Sequence, residues 1–152
     1  MARMGFLGLV VGLLGVLAVV WAHPPAEHAK ALGLPEGTVP VGSCVPGMGE
    51  HWAEPQNLPF GPIYGVMKEK VVFVEIMVSQ ADFAAGKSWT EALKPLTGHA
   101  VDHVDLEFLP KGHEGYEVPH YDIHAYFVSH QEHLGNCPAP KPVPKGMPRI
   151  KE

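Results

Sequence analysis

The residues from Pro119 to Val128 read Pro-His-Tyr-Asp-Ile-His-Ala-Tyr-Phe-Val. On a strand, alternation puts His120, Asp122, His124 and Tyr126 on one face, and Tyr121, Ile123, Ala125 and Phe127 on the other. β-branched and aromatic residues dominate the run, which predicts a strand. The second face is expected to be core. The first carries two imidazoles and a carboxylate, ligands that suit Zn, Cu, Ni, Mn or Fe. His51 and Glu75 can join them from elsewhere in the chain. Alternate strand residues lie ~7 Å apart, so Asp122 pairs easily with either His. His120 and His124 lie ~13 Å apart on an ideal strand, near the limit for one ion unless a bulge intervenes. The competing reading is a solvated face of ordinary histidines. The signal is weaker than a His-Glu-x-x-His helix.

A second set of residues points to a small-molecule pocket. Val71–Val78 is apolar on both faces apart from Glu75. Val72, Val74, Ile76 and Val78 form one face, and Val71, Phe73, Glu75 and Met77 the other. Such a strand is expected to be covered on both sides. Glu75 then needs a proton, a partner or a cation. Trp52, Tyr64, Phe73, Glu75, Met77 and Tyr126 would line the pocket with apolar walls and a few polar groups. The plainer alternative is that Phe73 and Met77 are core and Glu75 pairs with a lysine. A buried Glu75 beside a His could also serve acid–base chemistry. No nucleophile motif and no phosphate loop accompanies it, so no catalytic residue is assigned. His99 and His103 could form an i,i+4 pair, with His113 nearby in sequence, but His103 lies on the polar face of its own strand and solvent exposure is the better reading.

The elements that would position these residues follow from the chain order. Residues 1–22 combine Arg3, the apolar run Gly5–Val20 and Val20-Trp21-Ala22, the pattern of a cleaved signal peptide. The alternative is an uncleaved anchor, although the run falls short of the ~20 residues of a span. Residues 23–43 are rich in Pro and Gly and read as an arm with a helical turn or two over Ala26–Leu34. Residues 44–137 form the single globular domain, and the Pro-rich residues 138–152 a tail. Within the domain, Ser43–Pro55 is a tight loop ending at His51 and Trp52. Gly61–Met67 and Val71–Val78 make a hairpin around Lys68-Glu69-Lys70. Gln80–Leu96 is helical and is split at Gly86. Ala100–Leu109 is a strand whose Val104, Leu106 and Phe108 face the core. Ser129–Leu134 is one helical turn. This order predicts a β-rich α+β domain, either an antiparallel sheet or a small barrel, with a helix packed against it.

Two cysteines in an exported chain argue for one disulfide, Cys44–Cys137; free thiols or metal ligands are the alternative. The formal net charge of −5 comes with no basic patch, which makes nucleic acid a poor partner and disfavours anionic membrane surfaces.

The runs Pro46-Gly47-Met48-Gly49-Glu50-His51, Gly61-Pro62-Ile63-Tyr64-Gly65, Val72–Met77 with Glu75, and His120-Tyr121-Asp122-Ile123-His124-Ala125-Tyr126 carry a resemblance. Together they resemble a family of small exported bacterial proteins of unknown function, with relatives among Thermus proteins of an envelope-stress (sigma-E/anti-sigma-E) regulon. The likeness spans Cys44–Val128. It implies a secreted or periplasmic β-rich protein, a ring-like homo-oligomer such as a decamer, and carriage of a hydrophobic small molecule. It brings no catalytic residue.

Three functions follow as expectations. The first is an exported carrier that sequesters a hydrophobic small molecule, has no membrane attachment after signal cleavage, and is more a binder than an enzyme. The second is a protein or enzyme that uses a divalent transition metal at His51, Glu75, His120, Asp122 and His124. The third is a structural envelope protein whose tails bind other proteins.

Overall fold

The computed structural model describes residues 25–138. The proposed signal peptide and nearly all of the Pro-rich tail lie outside them. The architecture is one open, six-stranded antiparallel sheet with short helices, so the barrel alternative does not apply. The strands are β1 (Val39–Pro40), β2 (Glu50–Ala53), β3 (Ile63–Met67), β4 (Lys70–Ser79), β5 (His103–Leu109) and β6 (His120–Tyr126). Their spatial order is β1-β2-β3-β4-β6-β5. The helices are α1 (Pro25–Ala31), α2 (Gln80–Ala84) and α3 (His130–His133).

The hairpin between β3 and β4 forms because Lys68 and Glu69 take left-handed backbone angles, φ 49 and 60. That geometry matches the twist of the flanking strands. Opposite Gly65 and Val66 the register slips, leaving Val72 as an extra residue on β4. This bulge reverses the start of the strand. Val71 joins Val66 and Val74 on one face, while Val72 joins Phe73 and Tyr126 on the other. Strict alternation assigns these two valines the other way round. From Phe73 onward the alternation holds, and β4 is buried along nearly its whole length.

The two sheet faces have different covers. On one, α1 and the chain after it close over Trp52, Tyr64, Val66, Val71, Val74 and Ala125, with Ala29 and Leu34 buried among them. Residues 25–43 therefore pack on the domain instead of standing off as an arm, and β1 pairs with β2. The other face carries Phe73, Glu75, Met77, His120, Asp122, His124 and Tyr126. Loops cover it, with Met48 packed on Phe73 and Tyr126 and with Tyr116 packed on Met77.

The expected core face of β6 is thus the less buried one. His120, Asp122, His124 and Tyr126 are buried, whereas Tyr121 and Ile123 are half-buried. The same reversal affects β5. Its pairing places His103 opposite Tyr126, Asp105 opposite His124 and Glu107 opposite Asp122. The polar residues of β5 therefore extend the covered face. Val104, Leu106 and Phe108 extend the other face beyond its cover and are 48%, 61% and 42% exposed. Being apolar did not bury them, because β5 is an edge strand and α1 does not reach that far.

Two helical expectations differ in extent. Ser79 caps α2 by accepting a hydrogen bond from the Asp82 N–H, and Gly86 at φ 71 follows its end. No second helix forms before Pro95. Ser129 caps α3 in the same way, as the single turn predicted. Cys44 and Cys137 form a disulfide, with Cα atoms 5.7 Å apart. It closes the loop before β2 onto the segment after α3. No helix among the described residues is long and apolar enough to cross a membrane.

Candidate metal centre

Strands β2, β4 and β6 build the first cluster, with β3 lying between β2 and β4. His51 lies opposite Gly65, which lies opposite Phe73, and Glu75 lies opposite His124. Gly65 is required here, because a Cβ would collide with the Phe73 ring. The ring lies edge-to-face with both imidazoles, its centroid 5.4 Å from that of His51 and 4.9 Å from that of His124. Glu75 Oε2 is 3.6 Å from His51 Nε2 and 3.6 Å from His124 Nε2. His51 Nδ1, Glu75 Oε2 and both ring nitrogens of His124 are buried without a hydrogen-bond partner in the protein.

The electrostatics follow from burial. Desolvation pushes the Glu75 carboxyl well above its usual range, and nearby Asp122 and Glu107 push the same way. Desolvation lowers His124 to about 3 and also lowers His51. Without a cation, burial favours the uncharged form of all three groups. A buried polar group with no partner is costly, and a divalent ion would engage all three donors at once.

A second cluster lies on the same face. His120 Nε2 is 3.0 Å from Asp122 Oδ1, and His113 reaches them from the turn between β5 and β6. His120 Nδ1–H donates to the Val118 carbonyl at 2.7 Å, and His113 Nδ1–H donates to the Glu114 carbonyl at 3.0 Å. Each bond fixes the tautomer and leaves Nε2 as the lone-pair nitrogen. His120 Nε2 and Asp122 Oδ1 are buried and unpartnered. Burial raises the Asp122 carboxyl, opposed by the neighbouring His120 and His113.

The five metal candidates therefore divide. His51, Glu75 and His124 meet in one cluster, and His120 and Asp122 meet in another. The ~13 Å between His120 and His124 is not bridged. The sequence reading missed His113 as a ligand, because only the fold of its turn brings it back. Gly112 at φ 66 lets that turn close tightly on Tyr116 and Val118.

The pocket candidates also divide. Trp52 and Tyr64 lie on the α1 face, away from Phe73, Met77 and Tyr126. Phe73 and Tyr126 are core residues, 0% and 2% exposed. A cavity of about 890 Å³ does exist on the loop-covered face. Its lining includes His51, Glu75, Met77, His113 and Asp122, so both clusters border it. Val41, Val45, Met48, Leu58 and Ile63 supply apolar wall.

No family profile and no curated protein sequence matches this chain. The fold is similar to that of the hypothetical protein TTHB210 from Thermus thermophilus, with a TM-score of 0.52. The two are 26% identical, over 59% of this chain and 81% of that one. This likeness agrees with a resemblance to Thermus proteins of unknown function.

Proposed function

We propose that this protein binds a divalent transition ion at His51, Glu75 and His124, with an open coordination position facing the adjacent cavity. The observation that carries the reading is the convergence of His51 from β2, Glu75 from β4 and His124 from β6, with Glu75 Oε2 and His124 Nε2 buried and without a hydrogen-bond partner. Three protein ligands with a free position are the arrangement of a metal that takes a water or a small ligand as its fourth partner. His113 and Asp122 border the same cavity and, with His120 behind them, offer a second position whose His tautomers are already fixed for ligation. The test is zinc binding by the mature protein and by His51→Ala and His124→Ala. Each variant should bind one fewer tight equivalent; unchanged binding would remove the reading.

A second reading is carriage of a hydrophobic small molecule, favoured by the apolar wall of the cavity. Its volume falls within the roughly 300–1,000 Å³ of small-molecule sites. The two readings are compatible, the ion anchoring a polar group of the same ligand. Secretion or residence in the periplasm fits a disulfide-closed chain. Assembly of copies through Val104, Leu106 and Phe108 fits their exposure on an edge strand. Ring formation and envelope-stress regulation rest on the motif resemblance alone.

A further inference from the structure

The four side chains His103, Asp105, His130 and His133 lie outside the cavity described above and serve no role in it. We propose that they form a second, closed metal site of tetrahedral, zinc-like coordination that fastens α3 to the edge strand β5.

Each of the four offers one ligand atom, and these atoms all lie within 4.8 Å of one another. His103 Nε2 is 3.8 Å and His133 Nε2 is 3.9 Å from Asp105 Oδ2. His133 Nε2 is 2.9 Å from His130 Nδ1. Bonds of about 2.0–2.1 Å at tetrahedral angles place ligand atoms about 3.3 Å apart, inside this spread.

The surroundings are those of metal-ligating histidines. His133 Nδ1–H donates to the Gly47 carbonyl at 2.8 Å. His103 Nδ1 is 2.8 Å from Asp102 Oδ1, where it donates to the carboxylate. Both bonds fix the tautomer that leaves Nε2 free to ligate, and they hold the ring in place. His103 Nε2 is buried with no hydrogen-bond partner. Tyr126 packs against both rings, stacked on His133 at 4.1 Å and on His103 at 4.9 Å, while the two imidazoles lie 5.3 Å apart. His130 is exposed and gives an ion a route inward. When the ion enters, the His130 proton moves from Nδ1 to Nε2, and no proton need leave the ring.

Four protein donors fill a tetrahedral shell, so this site is structural, unlike the three-donor cluster at Glu75. Its ligands join β5 to the segment that the Cys44–Cys137 bridge already ties to the Gly47 loop.

The experiment is zinc content after reconstitution and dialysis of the mature, full-length protein, compared with His103→Ala, His130→Ala and Asp102→Ala. His103→Ala and His130→Ala should each hold one equivalent fewer than wild type. Asp102→Ala should keep the site with about 10–100-fold weaker affinity. His130 is exposed, so if His103→Ala fails to fold, His130→Ala decides. Because the readout is a difference, loss of the His51 equivalent is scored separately in His51→Ala. Cobalt in the closed site of the His51→Ala/His113→Ala double variant, which lacks a ligand at both other positions, should give a tetrahedral visible spectrum that azide does not alter. Wild-type zinc content in His130→Ala, or a cobalt spectrum that shifts with azide, would overturn the proposal.

Discussion

Glu75 and His124 face each other across β4 and β6, with Oε2 and Nε2 3.6 Å apart and neither atom hydrogen-bonded. A stable buried acid–imidazole pair would normally close to about 2.7–2.9 Å. The gap of 3.6 Å, repeated to His51, leaves room for an ion between the donors.

Glu75→Gln keeps the shape and removes the charge. Zinc affinity is expected to fall more than about tenfold, because an amide oxygen replaces a carboxylate as ligand. Melting of the metal-free protein should stay level or rise, since a neutral group now fills a site that disfavours charge. Calorimetric titration and thermal melts in chelator check the two halves.

The metal-free protein should show a plateau of stability against pH. His124 has a folded value of about 3 against 6.5 when unfolded, so the folded state binds fewer protons between those values and acid destabilises it. Glu75 is raised above 4.5, so the folded state binds an extra proton above that pH and alkali destabilises it. Between about 4.5 and 6.5 the two effects oppose each other. Below that window stability falls by about 1.4 kcal/mol per pH unit from His124 down to about pH 3. Above it, stability falls until Glu75 has ionised. Urea midpoints in chelator from about pH 3 to 9 measure this, and Glu75→Gln should lose the Glu75 share of the alkaline fall and with it the plateau, so that stability climbs from about pH 3 to 6.5. Zinc affinity should rise with pH, as the ion displaces the Glu75 proton.

Gly65→Ala should cost about 1–3 kcal/mol, the usual penalty of overpacking. The new methyl meets the Phe73 ring, which stands edge-on to His51 and His124. Denaturant unfolding gives the cost. Zinc affinity should weaken in the same variant, as the ring moves against both ligands.

Leu106→Glu places a charge in the middle of the exposed apolar face of β5. Stability of the isolated chain should change by less than about 0.5 kcal/mol, as for other surface positions. Any self-association through this face should be lost, and light scattering of wild type and variant at matched concentration tests it.

The parts of the fold visible in the sequence are those that local chemistry decides. The β3–β4 hairpin, the strand pattern of β6, the cap at Ser79 and the helical turn after Ser129 all follow from alternation and turn residues. Which face is inside does not, because that depends on neighbours. Val104, Leu106 and Phe108 look like core residues, yet β6 orients β5 so that His103 and Asp105 turn to the loop-covered face and are half-buried. The bulge at Val72 leaves no mark in a run of valines. The site is half legible. Glu75 stands out as a carboxylate in an apolar strand, with His51 and His124 as its candidate partners. The split between Glu75 and Asp122 requires the register, and His113 requires the turn at Gly112. His103 reads as a solvent-facing residue, because α3, which brings His130 and His133 to it, lies 27 or more positions further along the chain.

The most direct test is an anomalous difference map, at the zinc edge, from crystals of the mature protein grown with zinc. The account predicts a peak about 2.0–2.2 Å from His51 Nε2, Glu75 Oε2 and His124 Nε2, open toward the cavity. A well-ordered crystal with no anomalous density between these three side chains, and with Glu75 hydrogen-bonded directly to an imidazole, would contradict it.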